Sequence, residues 1–291
     1  MRFMVKPARW VTALIVGVMA VFSPASSYGY VLPAPYILEQ MVAGMRIPLE
    51  YQVMQALHVS RQLEDGNLAQ AYLINPVYEQ VVNYRIPGMF RVDTTGHDLH
   101  LVYISAPAHS ITIVDDILVS ESVDWLYGYG KLFSYDRGRS LLGRLASMGI
   151  DVRVSSLGRL DKTVYYVIGA QYPDISVPQL WVDRETFRPV RLVASGAGVS
   201  PGVTGEEVLF SNWRRFNGMQ YPGEMTFYEN GEEVQKILVE YVDAHPGLSP
   251  SLFDIDAWVS SPLVNGDEAE EDPDIAIEIQ KEIERFKRIF E

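Results

Sequence analysis

Two Asn-Gly pairs constrain this chain more than any other feature. Asn217-Gly218 and Asn230-Gly231 each stand between runs rich in Val, Ile, Tyr, Phe and Met. The first joins EEVLFSNWRRF (206–216) to MQYPGEMTFYE (219–229), and the second joins the end of that run to EEVQKILVEYVD (232–243). A type I′ turn requires positive φ at both central residues, and Asn followed by Gly accepts this with little strain. The pairs predict two successive hairpins, hence a meander of antiparallel strands. Pro222 cannot donate to a ladder, so the middle run should carry a bulge or turn that position away from its neighbour.

Other strand-like runs stand in series before the meander. VYEQVVNYRI (77–86), MFRVDT (89–94), LHLVYIS (99–105) and HSITIVD (109–115) are each bounded by Pro, Gly or Asp. A run with alternating character also follows Pro48, and ILVS (117–120) lies beyond the Asp115-Asp116 turn. TVYYVIGA (163–170), QLWVD (179–183) and RPVRLVAS (188–195) complete the set, with a polar turn at 183–186. Two segments follow the helical period instead. Ile37, Leu38, Met41, Val42 and Met45 recur at three- and four-residue steps after Pro35. Leu141, Leu142, Leu145 and Met148 do the same within 136–148, ahead of a terminating Gly149.

The two ends are of different character. Residues 1–9 carry Arg2, Lys6 and Arg9 and no acid, WVTALIVGVMAVF (10–22) is almost wholly apolar, and small residues follow. This is the three-part pattern of a secretory signal peptide over 1–29, with an apolar run shorter than the ~20 residues of a membrane span. At the other end, NGDEAEEDPD (265–274) marks an acidic linker over 260–274. Ile275, Ile279, Ile283, Phe286 and Phe290 then place an apolar stripe on a helix over 275–291. The intervening 30–259 is expected to form one domain.

Charge and chemistry exclude several function classes. Lys and Arg total 24 against 37 Asp and Glu, a net charge of −13, which disfavours a nucleic-acid surface. Cysteine is absent, which removes disulfides, Cys-ligated metals, Cys nucleophiles and Cys-linked lipid. A secreted chain without cysteine suits a bacterial periplasm better than a eukaryotic secretory route. No HExxH, GxSxG, P-loop or GxGxxG motif occurs. His97 and His100 are three apart in a strand context, which sends them to opposite faces. The reading is of a non-enzyme that needs no cofactor and no metal. The remaining resource is apolar surface: 17 Tyr, 11 Phe, 5 Trp and 10 Met. Such a set builds either an ordinary sandwich core or an open sheet whose covered face takes a hydrophobic ligand.

The order of certain motifs resembles a known family. Arg85-Ile86-Pro87-Gly88-Met89-Phe90-Arg91 is followed by Leu180-Trp181-Val182-Asp183, a tight turn, and Arg188-Pro189-Val190-Arg191-Leu192. Tyr221-Pro222 then follows the first Asn-Gly. Over roughly 34–255 this is similar to the outer-membrane lipoprotein-sorting, LolA-like family of Gram-negative periplasmic proteins. The resemblance implies a mainly β fold with a few helices, an incomplete antiparallel β-barrel whose helices form a lid over an apolar cavity. It implies a periplasmic carrier of lipids or lipoprotein acyl chains, working between membrane-associated donor and acceptor proteins. Relatives on the same fold imply a second reading, an envelope sensor or assembly factor that binds protein. The stretch 128–160 and the 260–291 extension are additions to the family pattern. On this fold the lipid-contacting candidates are Phe90, Trp181, Trp213, Met225 and Phe227. Leu141, Leu142 and Leu145 are the lid contacts, and Arg85 and Arg91 the polar cavity candidates.

Overall fold

The computed structural model describes residues 31–60, 77–96, 99–107, 109–119, 128–194, 207–229 and 231–259. The expected signal peptide, acidic linker and C-terminal helix lie outside them.

A first helix, α1 (Ala34–Met45), starts on Pro33 and Pro35, where a missing N–H costs nothing. It ends at Arg46, which adopts the left-handed conformation at φ 55°. Its Ile37, Leu38, Met41, Val42 and Met45 are all buried, as their spacing predicts. Six strands follow: β1 (Glu50–Val59), β2 (Val77–Arg85), β3 (Met89–Gly96), β4 (Leu99–Ser105), β5 (Ser110–Val114) and β6 (Ile117–Val119). A 3-10 turn (Gly128–Phe133) leads to α2 (Gly138–Ser147). Then come β7 (Ser155–Leu160), β8 (Thr163–Ile168), β9 (Gln179–Asp183) and β10 (Pro189–Val193). The meander holds β11 (Glu207–Ser211), β12 (Arg214–Phe216), β13 (Met219–Tyr221), β14 (Glu224–Glu229) and β15 (Glu232–Asp243). A second 3-10 turn (Pro250–Phe253) and the short α3 (Ile255–Val259) end the described chain.

Thirteen strands form one sheet in the order β6-β5-β4-β3-β2-β1-β15-β14-β11-β10-β9-β8-β7. Every pairing is antiparallel. The sheet does not close, because β6 and β7 are its two edges among the described residues. It is the mainly β, incomplete barrel that the resemblance implies.

The meander departs from expectation in one respect. Residues 206–216 do not form a single strand. Asn212 turns to φ 51°, Gly223 N–H donates to the Asn212 carbonyl at 3.0 Å, and Pro222 stands beside the break. The hairpin is thereby cut in two. Its base is β11 with β14, and its tip is the two-stranded β12–β13 sheet. Asn217 and Gly218 at the tip have φ of 47° and 93°, as a type I′ turn requires. At the second pair Gly231 has φ 86°, and Glu229 lies across from Glu232.

Strand alternation and register divide the sheet into two faces. One carries Tyr51, Tyr84, Phe90 and Tyr103 in β1–β4, which are cross-strand partners or same-face neighbours. It continues through Leu180, Leu192, Phe210, Met225 and Ile237 on the other half. The 3-10 turn and the helices cover this face. Tyr51 Oη donates to the Phe133 carbonyl at 2.6 Å, and Phe133 packs 4.8 Å from Tyr221. Helix α1 reaches it through Tyr36, Phe187 and Tyr166, whose rings follow one another at 6.4 and 6.0 Å. Helices α1 and α2 meet at Gly138, where an added Cβ would come within 2.5 Å of the Glu39 backbone.

Among the described residues, the opposite face is covered only in parts. The segment ending in α3 lays Ile255 and Trp258 against Val102, Ile104 and Ile113. On the other half, Trp181, Val167 and Ala170 form a separate small cluster.

Candidate functional site

The 3-10 turn builds the site. Its sequence, GYGKLF, puts Gly128, Tyr129 and Lys131 into the wall of a cavity of about 220 Å³. The opposing wall comes from β10, β11 and β14, through Leu192, Val208 and Phe227. Met148 and Ile150, just beyond α2, and Val234 of β15 add to a mainly apolar lining, which also includes Glu207 and Glu229. Gly130 is required for the approach. A side chain there would come within 3.1 Å of Phe90 and 3.3 Å of the Tyr84 hydroxyl. Tyr129 sets the polar boundary: its ring stands edge-on to Phe227 at 5.2 Å, and its hydroxyl accepts from Gln55 Nε2 at 3.4 Å.

Gln55 opens a buried polar row across three strands. It donates to Gln80 Oε1 at 2.8 Å, and Gln80 donates to Thr94 Oγ1 at 3.0 Å. Gln55 Oε1 and Gln235 Nε2 are buried without a partner. Beside this row the hydroxyls of Tyr84 and Tyr221 lie 3.2 Å apart, and Tyr51 stacks on Tyr84 at 4.4 Å. Burial first, and then the neighbouring Tyr84 for Tyr51 and Tyr221 and Tyr129 for Tyr84, hold both well above the usual tyrosine range. Tyr221 is raised likewise, burial leading. Burial lifts Tyr129 to about 12, against a lowering by its bond to Gln55.

The structure distributes the expected contact residues unevenly. Phe227 lines the cavity. Met225 and Phe90 share its face but lie buried away from it, Phe90 between Tyr84 and Tyr103. Trp213 is half-buried near Phe133 at 6.4 Å, with the Arg188 guanidinium over its ring. Leu141 and Leu145 are fully buried on α2, whereas Leu142 is half-buried. Three residues stand on the other face of the sheet. Trp181 pairs with Val167 and Arg191, on the face opposite Leu180 and Leu192. There its indole N–H donates to Gln179 Oε1 at 2.8 Å. Arg85 and Arg91 are also on the opposite face, since their neighbours Tyr84 and Phe90 point to the covered one.

Both arginines hold the C-terminal segment of the described chain instead. Arg85 bonds Glu50 Oε1 at 2.8 Å and the Leu248 carbonyl at 2.9 Å, and lies over the Phe253 ring. Arg91 grips Asp93 through Nε and Nη2 and lies over Trp258. Sequence reasoning missed the 3-10 turn and α3. The two 3-10 turns did carry signals: paired glycines at 128 and 130 for the first, and Ser249-Pro250, the N-cap and opening proline, for the second. Among the described residues, no three His, Asp or Glu side chains are grouped to hold a metal. No described helix is long and apolar enough to cross a membrane.

No family model matches the sequence, and no curated protein matches it. Solved structures do. An outer membrane lipoprotein-sorting protein domain from Vibrio parahaemolyticus aligns with a TM-score of 0.51 at 8% identity, over 77% of this chain and 97% of that one. A DUF1329 family protein from Desulfovibrio piger aligns with a TM-score of 0.50 at 12% identity, over 78% and 99%. A LolA superfamily protein from Nitrosomonas europaea aligns at 0.48 and 17% identity, over 77% and 99%. At such identities the likeness is one of fold alone, the fold shared with the Vibrio lipoprotein-sorting domain and the Desulfovibrio protein.

Proposed function

We propose that this chain is a periplasmic binding protein that carries lipids or lipoprotein acyl chains toward the outer membrane. The observation that carries the reading is the apolar cavity between the 3-10 turn and β10, β11 and β14, on the covered face of an open sheet. A sixteen-carbon chain left in water costs about 0.8 kcal/mol per methylene, roughly 12 kcal/mol in all. A carrier has to hide most of that and still release it. An apolar wall with few polar contacts does so without cofactor or catalytic group. The fold resemblance supports the reading. In this proposal 1–29 is the cleaved signal peptide, 30–259 the binding domain, and 260–274 a tether for 275–291.

Size sets a condition on the occupant. A cavity of ~150 Å³ holds a six-carbon ring. By that measure 220 Å³ accepts roughly nine carbons, part of one acyl chain. A longer chain requires the turn bearing Tyr129 to move away from Phe227.

Native mass spectrometry of gently purified protein tests the reading, together with titration of a fluorescent fatty acid. A co-purifying lipid or lipopeptide and saturable binding are expected. Val234→Phe, which fills the cavity from a half-buried position, should weaken binding about tenfold, close to 1.4 kcal/mol, with little change in melting temperature. A bare chain that binds no fatty acid sinks the carrier. It would leave the envelope sensor or assembly factor as the better account.

A further inference from the structure

The face opposite the cavity carries an exposed apolar patch at the centre of the sheet. Met54 lies across from Tyr241 and Val81, Ala56 from Leu238, and His58 from Val77. All lie on the face that Tyr51, Val53 and Leu57 turn away from. Met54 is 43% exposed, Val77 45%, Leu238 37% and Tyr241 50%. Single exposed apolar side chains are ordinary, but a contiguous group marks an interaction surface. Fraying at an edge does not explain it, since β1 and β15 are interior strands.

We propose that residues 275–291 of this same chain dock on that patch. The inference concerns the face away from the cavity and goes beyond the carrier reading. Three observations select this occupant. First, the chain already crosses this face. Arg85 and Arg91 hold residues 248–252 against it, and Ile255 and Trp258 pack on β4 and β5. Second, the reach suffices. The way back from β5 to β1 is four strand spacings, ~19 Å, while residues 260–274 extend to at most ~50 Å. Third, the segment's character matches. Laid as a helix, 275–291 is ~25 Å long, with Ile275, Ile279, Ile283, Phe286 and Phe290 along one side.

The absence of cysteine makes the test clean, because two introduced cysteines are the only ones present. Full-length protein carrying Leu238→Cys with Ile283→Cys is oxidised at ~1 µM, where a tethered segment at an effective ~1 mM outcompetes a second molecule. Leu238→Cys with Lys281→Cys is the control, since position 281 lies on the other side of the predicted helix. A disulfide requires Cα atoms within ~7 Å, so the first pair should form an intramolecular bond about tenfold faster than the control. Tyr241→Cys with Ile279→Cys repeats the test at a more exposed site, should Leu238→Cys unfold the sheet. Equal rates for facing and control pairs overturn the proposal. So does a disulfide-linked dimer, which makes a second copy the occupant, and so does full maleimide labelling of Leu238→Cys with no cross-link. Fatty-acid binding by the cross-linked protein is read separately, so failure of the carrier reading leaves this result standing.

Discussion

At the residue scale, two groups of side chains show how close this core is to its limits. Gly158 on β7 lies under Trp181, and a Cβ there would come 2.6 Å from Cη2 of the indole and 2.7 Å from Val167. Gly158→Ala should therefore cost about 1–3 kcal/mol by overpacking, read as a lower urea midpoint. The buried tyrosines give a pH prediction. Tyr129 ionises at about 12 in the folded protein and at 10 when unfolded. Between those values the unfolded chain holds fewer protons, so stability falls as pH rises. The full contribution is present below pH 10, and roughly 2 kcal/mol of it is lost by pH 12 from Tyr129 alone. Tyr51, Tyr84 and Tyr221 shift the same way and steepen the loss. Denaturant titrations between pH 9 and 11.5 should show the urea midpoint level at first, then dropping above 10.

At the element scale, α2 separates buried wedges from a surface position. Leu141 and Leu145 are fully buried, while Leu142 is half-buried on a neighbouring side of the helix. Leu145→Ala should cost about 2–5 kcal/mol, and Leu142→Ala well under half as much. A pair of melting curves decides between this arrangement and a lid in which all three leucines act alike. The β12–β13 tip gives a second prediction. Gly218, at φ 93°, has open space where a Cβ would stand, so any cost of Gly218→Ala is backbone strain alone, about 1 kcal/mol. Periodicity announced α1, α2 and the strand series because each buries one face, and burial writes itself as spacing. It did not announce the short 3-10 turns. A six-residue segment has too few repeats to show a period, and the Gly128–Phe133 turn is buried throughout.

At the scale of the whole molecule, the open sheet has one helix-covered face and one face strapped by the chain's own continuation. Arg91 is central to the strap: it is 8% exposed, bound to Asp93, and lies over Trp258. Arg91→Ala should cost about 2 kcal/mol and release residues 248–259, seen as new protease cleavage there while β1 and β15 stay protected. Local sequence determined the strand and helix inventory, the Asn-Gly turns, and which residues of one strand share a face. Those features depend on a few neighbouring residues, through φ preferences and side-chain alternation. Only the tertiary structure decided which of the two faces is covered. Met225 and Phe227 were legible as a pair, yet nothing local could tell that Trp181 points the other way. The side assigned to a strand depends on its register with partners far away in the chain, as between β1 and β15. The cavity was illegible for the same reason. Its wall joins Gly128, Tyr129, Lys131, Met148, Ile150 and residues of 192–194, 207–208, 227–229 and 234, and their meeting is fixed by cross-strand pairing rather than by any motif.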